Sequence, residues 1–332
     1  MSSTPFSTLH VTTASAPDGP RSGRNPLRVE ATRPARAAGE RALVLGGGGS
    51  AGNAWLIGVV AGLCDAGLDV IDADLVIGTS AGSTAAAQLT RASPGRLLAD
   101  ILSVPESGRR SRPAGPDPGR VPVRPAADHL HRTNEIIAAA EGPADMRRRI
   151  GAAAIELDAA SDGSWQGQWR ATVAARLPSQ DWPPSRMLIT AVDAQTGQPV
   201  VFDRHSGVDL ADAVAASCAS GPAFRIGERS YVDGGYRRSS ENADLAAGYG
   251  RVLVLSPLGG RTRHPLEWGM QLAVQVGELR AGGSRVETVV PDGRSLDALG
   301  DNLMDPSTRM PAARAGYDQG LAQGALLTGF WR

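Results

Sequence analysis

The chain of 332 residues predicts an α/β fold, with a mainly parallel sheet, helices on both faces and an inserted region of helices and flap. Two observations carry this. Two strand–turn–helix units follow one another, "RALVLGGGGSAGNAWLIGVVAGLCDAGL" from Arg41 and "ADLVIGTSAGSTAAAQLT" over residues 73–90. Their strands, like a later one at 251–255, are unbroken apolar runs, as expected where helices cover both faces of a parallel sheet.

In chain order, residues 1–40 are rich in Ser, Thr, Pro, Arg and Ala and read as a disordered tail without the apolar core of a secretory signal. The folded domain is expected over 41–330. Arg41–Leu45 is a strand, the glycines are a turn, and an apolar helix runs to Gly67. A second strand, a sharp turn and a helix of small residues fill 73–90. Residues 104–180 form the insertion. It opens with "VPESGRRSRPAGPDPGRVPVRPA", a loop or flap too dense in Pro and Gly for regular structure, and continues as helices broken near Gly142–Pro143. Residues 186–204 read as a hairpin turning at Thr196–Gly197, and "LADAVAASCAS" as a helix ending at Gly221–Pro222. The strand ending in "YVDGG", a helix after it and the buried strand 251–255 come next. A helix near 266–280, the strand "VETVVPD" and a helix to about Leu327 complete the chain.

Composition narrows the function. Hydrophobic residues make up 42%, enough for a core without metals or disulfides, and 34 basic residues, all arginine, balance 34 acidic ones. That balance argues against a general nucleic-acid footprint. Cys64 and Cys218 lie among small apolar residues and read as buried free thiols of a reducing compartment. No window reaches the roughly 18 apolar residues of a membrane span. The protein is expected in the cytoplasm.

Four consecutive glycines, 46–49, need a reason, because ordering glycine is entropically expensive. Gly47, Gly49 and Gly52 fit the dinucleotide pattern G-x-G-x-x-G, and Asp69 and Asp72 lie near the distance of a ribose-binding acid. However, the next strand ends in Gly-Thr-Ser, with no acid at its tip. No Gly-Lys-Ser/Thr follows, which excludes a P-loop. The second turn gives a better account. "GTSAG", Gly78–Gly82, is G-x-S-x-G between strand and helix, a nucleophile elbow exposing Ser80, followed by Ala81. The glycine loop then has a task, to aim the unhindered N–H groups of Gly47, Gly48 and Gly49, chiefly the last two, at an oxyanion beside Ser80.

A serine nucleophile needs a base. None of His10, His129, His131, His205 and His264 has a recognisable catalytic setting. Asp233 does, at a strand end with Gly234 and Gly235 leaving close access, so a direct Ser80–Asp233 dyad is the stronger reading. Two others stay open: a Ser80–Asp233–His264 triad, whose order fits an α/β-hydrolase, and a non-catalytic dinucleotide module.

With "GGGGSAG" (46–52), "GTSAG" (78–82) and "DGG" (233–235) in this order, the chain resembles the patatin-like phospholipases, in support of which stand "SCASGPAF" and "NADLAAG". The resemblance covers most of 41–330. It implies a three-layer sandwich, the dyad with Asp233 as general base, and metal- and cofactor-free cleavage of lipid esters through acyl-Ser80. One departure is Ala51, where many members carry a basic residue. Asn242 is expected to hold the Asp233 loop. The substrate trough is expected along Ala81–Ala87 and Ala213–Ala223. For transient contact with an anionic membrane surface the candidates are Arg109, Arg110, Arg112 and the arginines at 147–149, although a solvated arginine face needs no partner.

Overall fold

Arg41–Leu45 (β1) is the hub of one eight-stranded sheet. It pairs in parallel with Leu75–Gly78 (β2) on one side and Arg251–Leu255 (β7) on the other. The parallel part extends to Arg285–Val289 (β8) beyond β7 and to Met187–Asp193 (β3) beyond β2. Two strands run against it on β3, Pro199–Phe202 (β4) and Arg229–Asp233 (β6), and Phe224–Ile226 (β5) pairs antiparallel with β6 and so returns to the direction of β3. The structure, a computed structural model, describes residues 40–103 and 126–332, with the backbone alone at 126–128. The expected tail with His10, and the flap arginines 109, 110 and 112, lie outside the described residues.

Both sides of the parallel strands are covered, which is why they read as unbroken apolar runs. Leu43 and Leu45 enter a core with Gly49–Asp65 (α1), Ala81–Leu89 (α2) and Pro94–Leu102 (α3). Leu210–Ser217 (α7, the next helix but three) and Arg309–Trp331 (α10, the last) complete that layer. Ala42 and Val44 face the opposite layer, built from residues 243–249 and Leu272–Ala281 (α8). Ala126–Ala139 (α4) and Pro143–Ala159 (α5) extend that cover over Val192 and Val232, while Ser164–Ala174 (α6) adds Trp165 and Trp169 to the first layer.

Helix α1 is buried almost all round, from Ala51 to Leu63, because α10 lies directly on it. The contact is backbone on backbone. A Cβ on Gly58 would overlap the Ala313 carbonyl, and one on Gly320 the Val59 carbonyl.

Several expectations need correction. The single helix near 266–280 is a 3-10 turn, Leu266–Trp268, and then α8, separated at Gly269, whose φ of 62° breaks the helix. Helix α7 ends at Ser217 instead of reaching Gly221, and the Ala219 carbonyl accepts the Asp233 N–H. Helix α3, strand β5 and Gly293–Leu299 (α9) went unforeseen. Cys64 is exposed in the last turn of α1, where the chain returns to the surface, and Cys218 is only partly buried.

Candidate active site

Strand β2 ends at Gly78, and the backbone turns so sharply that Ser80 adopts φ 52°, one of two non-glycine residues at positive φ among those described. Helix α2 starts at the next residue. The flanking glycines are required by space: a Cβ on Gly78 would sit 2.6 Å from Ser83 Cα, and one on Gly82 would overlap the Leu45 carbonyl. The Ser80 N–H donates to Ser217 Oγ at 2.9 Å, and its carbonyl accepts from Ser83 N–H at 2.8 Å, so both backbone groups of the strained residue are satisfied.

Asp233 arrives from the opposite direction. Strand β4 occupies one edge of β3 along residues 189–192, so β2 and the antiparallel β6 must share the other edge. They run toward each other and stop on either side of Thr190, Gly78 beside Ile189 and Asp233 beside Ala191. This head-on arrangement places Ser80 Oγ 2.7 Å from Asp233 Oδ2, to which it donates. The other carboxylate oxygen accepts the Gly235 N–H at 2.8 Å. Gly234 must lack a Cβ because Thr190 fills the space. Asp233 is 7% exposed, and burial pushes its carboxyl up to about 6. The Gly235 N–H, the Ser80 hydroxyl and the Arg263 guanidinium act in the opposite sense.

Asn242 locks the junction. It is fully buried at φ 53°, and its amide donates to Gly234 O (2.9 Å), Thr79 Oγ1 (3.0 Å) and Thr190 Oγ1 (3.2 Å). One side chain thus ties the ends of β2 and β6 to β3. Sequence reasoning missed Thr79, Thr190 and Ser217, whose roles exist only once distant strands meet.

The glycine loop faces this pair. A Cβ on Gly47 would lie 3.4 Å from Ser80 Cβ, and one on Gly48 2.6 Å from Pro257, so serine and proline close on the loop from two sides. Gly49 has φ 62° and opens α1. One expectation is corrected. The Gly47 N–H does not point free, because it donates to Ser240 O at 2.8 Å, and what Gly47 offers is room for Ser80. Among the described residues, the N–H groups of Gly48 and Gly49 have no hydrogen-bond acceptor. Gly52 donates back to the Gly48 carbonyl at 2.9 Å, and Ala51 to the Leu303 carbonyl at 2.9 Å. Behind the loop, the buried Glu241 accepts hydroxyl hydrogen bonds from Ser239, Ser240 and Ser256, each at 2.7 Å.

The remaining candidates fall elsewhere. The His264 ring stacks on Trp268, its Nδ1 has no hydrogen-bond partner among the described residues, and burial followed by Arg263 pushes its pKa down to about 4. His205 is exposed after β4, and His131 pairs with Glu135 on α4. Asp69 caps its own turn and Asp72 pairs with Arg41, so neither serves the loop. Of the triplet at 147–149, Arg147 donates into the protein at Gly197 and Arg237, and the other two pair with Asp145. The trough expected along Ala81–Ala87 and Ala213–Ala223 is corrected for α2 and α7, which are packed into the core, and only the stretch after α7 meets open space. That stretch, Ala219–Gly221, borders a small open cleft against α4 and α5, with His129 at its edge and Ile136, Ile150, Leu157 and Val232 along its walls; neither Ser80 nor Asp233 lines it. Among the described residues, no three His, Cys, Asp or Glu side chains group to hold a metal ion, and no helix is long and apolar enough to cross a membrane.

Comparison with known proteins identifies the family. The signature of the Patatin-like phospholipase family matches residues 43–247, which contain the glycine loop, the elbow and Asp233. The chain belongs to that family, whose members are lipid acyl hydrolases. None of the curated proteins matches it in sequence. Among solved structures it is similar to VipD from Legionella pneumophila, at 12% identity and a TM-score of 0.42 over 89% of this chain and 68% of VipD. It is also similar to the type III effector ExoU, at 15% identity and a TM-score of 0.34 over 88% of this chain and 54% of ExoU.

Proposed function

We propose that this protein cleaves carboxylic esters of phospholipids or other lipids through an acyl-Ser80 intermediate, with Asp233 as general base. The observation that carries the reading is the 2.7 Å hydrogen bond from Ser80 Oγ to Asp233 Oδ2 at an elbow held at positive φ.

In the first half-reaction Ser80 Oγ attacks the ester carbonyl carbon while its proton passes to Asp233 Oδ2. The carbonyl electron pair moves to oxygen, toward the unengaged N–H groups of Gly48 and Gly49, where α1 also directs the positive end of its dipole. Collapse reforms the carbonyl and expels the alcohol, which leaves with the proton from Asp233. In the second half a water attacks the acyl carbon and gives its proton to Asp233. Collapse then frees the carboxylic acid, and Ser80 Oγ recovers the proton. A carboxyl at about 6 suits this cycle, being more basic than an ordinary aspartate yet mostly ionised at neutral pH.

We also read residues 41–330 as one catalytic domain. The family signature ends at residue 247, but α10 packs on α1, the helix that opens at the glycine loop. A transient membrane contact would bring the lipid ester to Ser80.

The test is release of free fatty acid from phosphatidylcholine vesicles, lysophospholipid and a p-nitrophenyl ester. Wild type is expected to hydrolyse at least one of them, Ser80→Ala none, and Asp233→Asn to run about 10²–10⁴-fold slower. Hydrolysis by Ser80→Ala at the wild-type rate would end this reading.

A further inference from the structure

The glycine loop carries no charged residue between Gly46 and Gly52, yet a guanidinium touches it from the other end of the chain. Arg309, the first residue of α10, donates from Nη1 to the Ser50 carbonyl at 2.7 Å and to Ser50 Oγ at 3.2 Å. Its Nη2 donates to Asn53 Oδ1 at 3.2 Å. Asn53 in turn reaches the carbonyl of Ala81, the residue after Ser80, at 3.5 Å, and Gln88 Oε1 at 3.1 Å.

All these acceptors are neutral. No carboxylate lies within ion-pair reach of Arg309 among the described residues. Burial works against its charge, and so does the nearby Arg176, which is itself stacked over the Trp169 ring. Packing a cation partly out of water without an anion is unfavourable, as is placing it beside the positive end of a helix. An anion forming next to the loop reverses both penalties.

We infer that Arg309 is a positioning residue for the reaction at Ser80, holding the first turn of α1 in place and leaving an uncompensated positive charge behind the Gly48 and Gly49 amides that strengthens them when the oxyanion forms. The inference rests on the acyl-Ser80 reading. It gives α10 a part in the chemistry although that helix lies beyond the family signature. Because the charge acts when the carbonyl oxygen becomes negative, its effect falls on kcat and spares the binding of a neutral ester.

Two variants separate charge from packing. Arg309→Gln removes the charge, and Asn53→Asp places a carboxylate against the guanidinium and neutralises it with α10 still docked. With a neutral p-nitrophenyl ester, both are expected to lower kcat roughly 10- to 100-fold with KM little changed. Affinity for a trifluoromethyl ketone, which becomes an oxyanion on Ser80, is expected to fall in parallel. Arg309→Lys should recover most of the loss, and Asn53→Ala, which gives up the same amide donations to the Ala81 carbonyl and Gln88 Oε1 without bringing a carboxylate, should keep a higher kcat than Asn53→Asp. A folded Asn53→Asp with wild-type kcat and wild-type inhibitor affinity overturns the inference, as does failure of lysine to restore any activity to a folded protein. A wild-type enzyme inert toward every ester overturns instead the reading on which it rests.

Discussion

Ser80 Oγ donates directly to Asp233 Oδ2 across 2.7 Å, with no imidazole between them. The contact follows from topology, because β2 and β6 meet end to end on one edge of β3. In the proposed mechanism the carboxylate held there accepts the serine proton itself, with a basicity raised by burial.

The pH dependence of turnover should carry that signature. Asp233 is pushed up to about 6 by burial, so kcat/KM is expected to fall about tenfold per pH unit below that value as the base is protonated. A profile of kcat/KM between pH 4 and 8 on a water-soluble ester measures it. An acid limb near pH 4 would mean that the carboxyl is not desolvated in the working enzyme.

Stability should move the other way with pH. The folded pKa of Asp233 is raised, so its contribution is fully present below the ordinary carboxylate range and is lost as pH rises from there through about 6. Asp233→Asn removes that penalty. At pH 8 the variant is expected to be more stable than wild type by about 1–3 kcal/mol, and at pH 4 the difference should vanish. Thermal unfolding at the two pH values decides.

Glycine replacements should sort by what a Cβ meets. At Gly82 it overlaps the Leu45 carbonyl and at Gly320 the Val59 carbonyl, whereas at Gly329 it meets nothing within 4 Å. Gly82→Ala is expected to abolish activity by displacing Ser80. Gly320→Ala is expected to cost about 3 kcal/mol, since neither backbone can yield easily. Gly329→Ala should gain several tenths of a kcal/mol through helix propensity, read by urea unfolding.

Asn242→Ala leaves the Gly234 carbonyl and two threonine hydroxyls short of a donor in a buried junction. A cost of about 2–4 kcal/mol is expected, together with a loss of activity as β2 and β6 drift apart. Asn242→Gly keeps the positive φ without strain, so comparing it with Asn242→Ala separates backbone strain from the loss of the buried side chain.

Which features are legible in the sequence follows from physical range. Strands β1 and β7 read directly, because a strand covered on both faces must be apolar throughout. The elbow read equally well, since Gly78 and Gly82 are demanded by contacts within a few residues or with β1. Helix α3 was missed despite a proline at its start, its short pattern merging with the flap. Gly47 was misassigned because its amide partner, Ser240, lies nearly two hundred residues away. Arg309 carries no local signal at all, since its meaning comes from Ser50 at a separation of 259 residues.

The central claim is that Ser80 is activated by Asp233 without a histidine. Fluorophosphonate labelling followed by intact-protein and peptide mass spectrometry tests it most directly, in wild type and in Ser80→Ala, Asp233→Asn and His264→Ala. The account predicts a single adduct on Ser80 in wild type and in His264→Ala at similar rates, none in Ser80→Ala, and labelling slowed about 10²–10⁴-fold in Asp233→Asn. Loss of labelling in His264→Ala, with Asp233→Asn reacting normally, would contradict it.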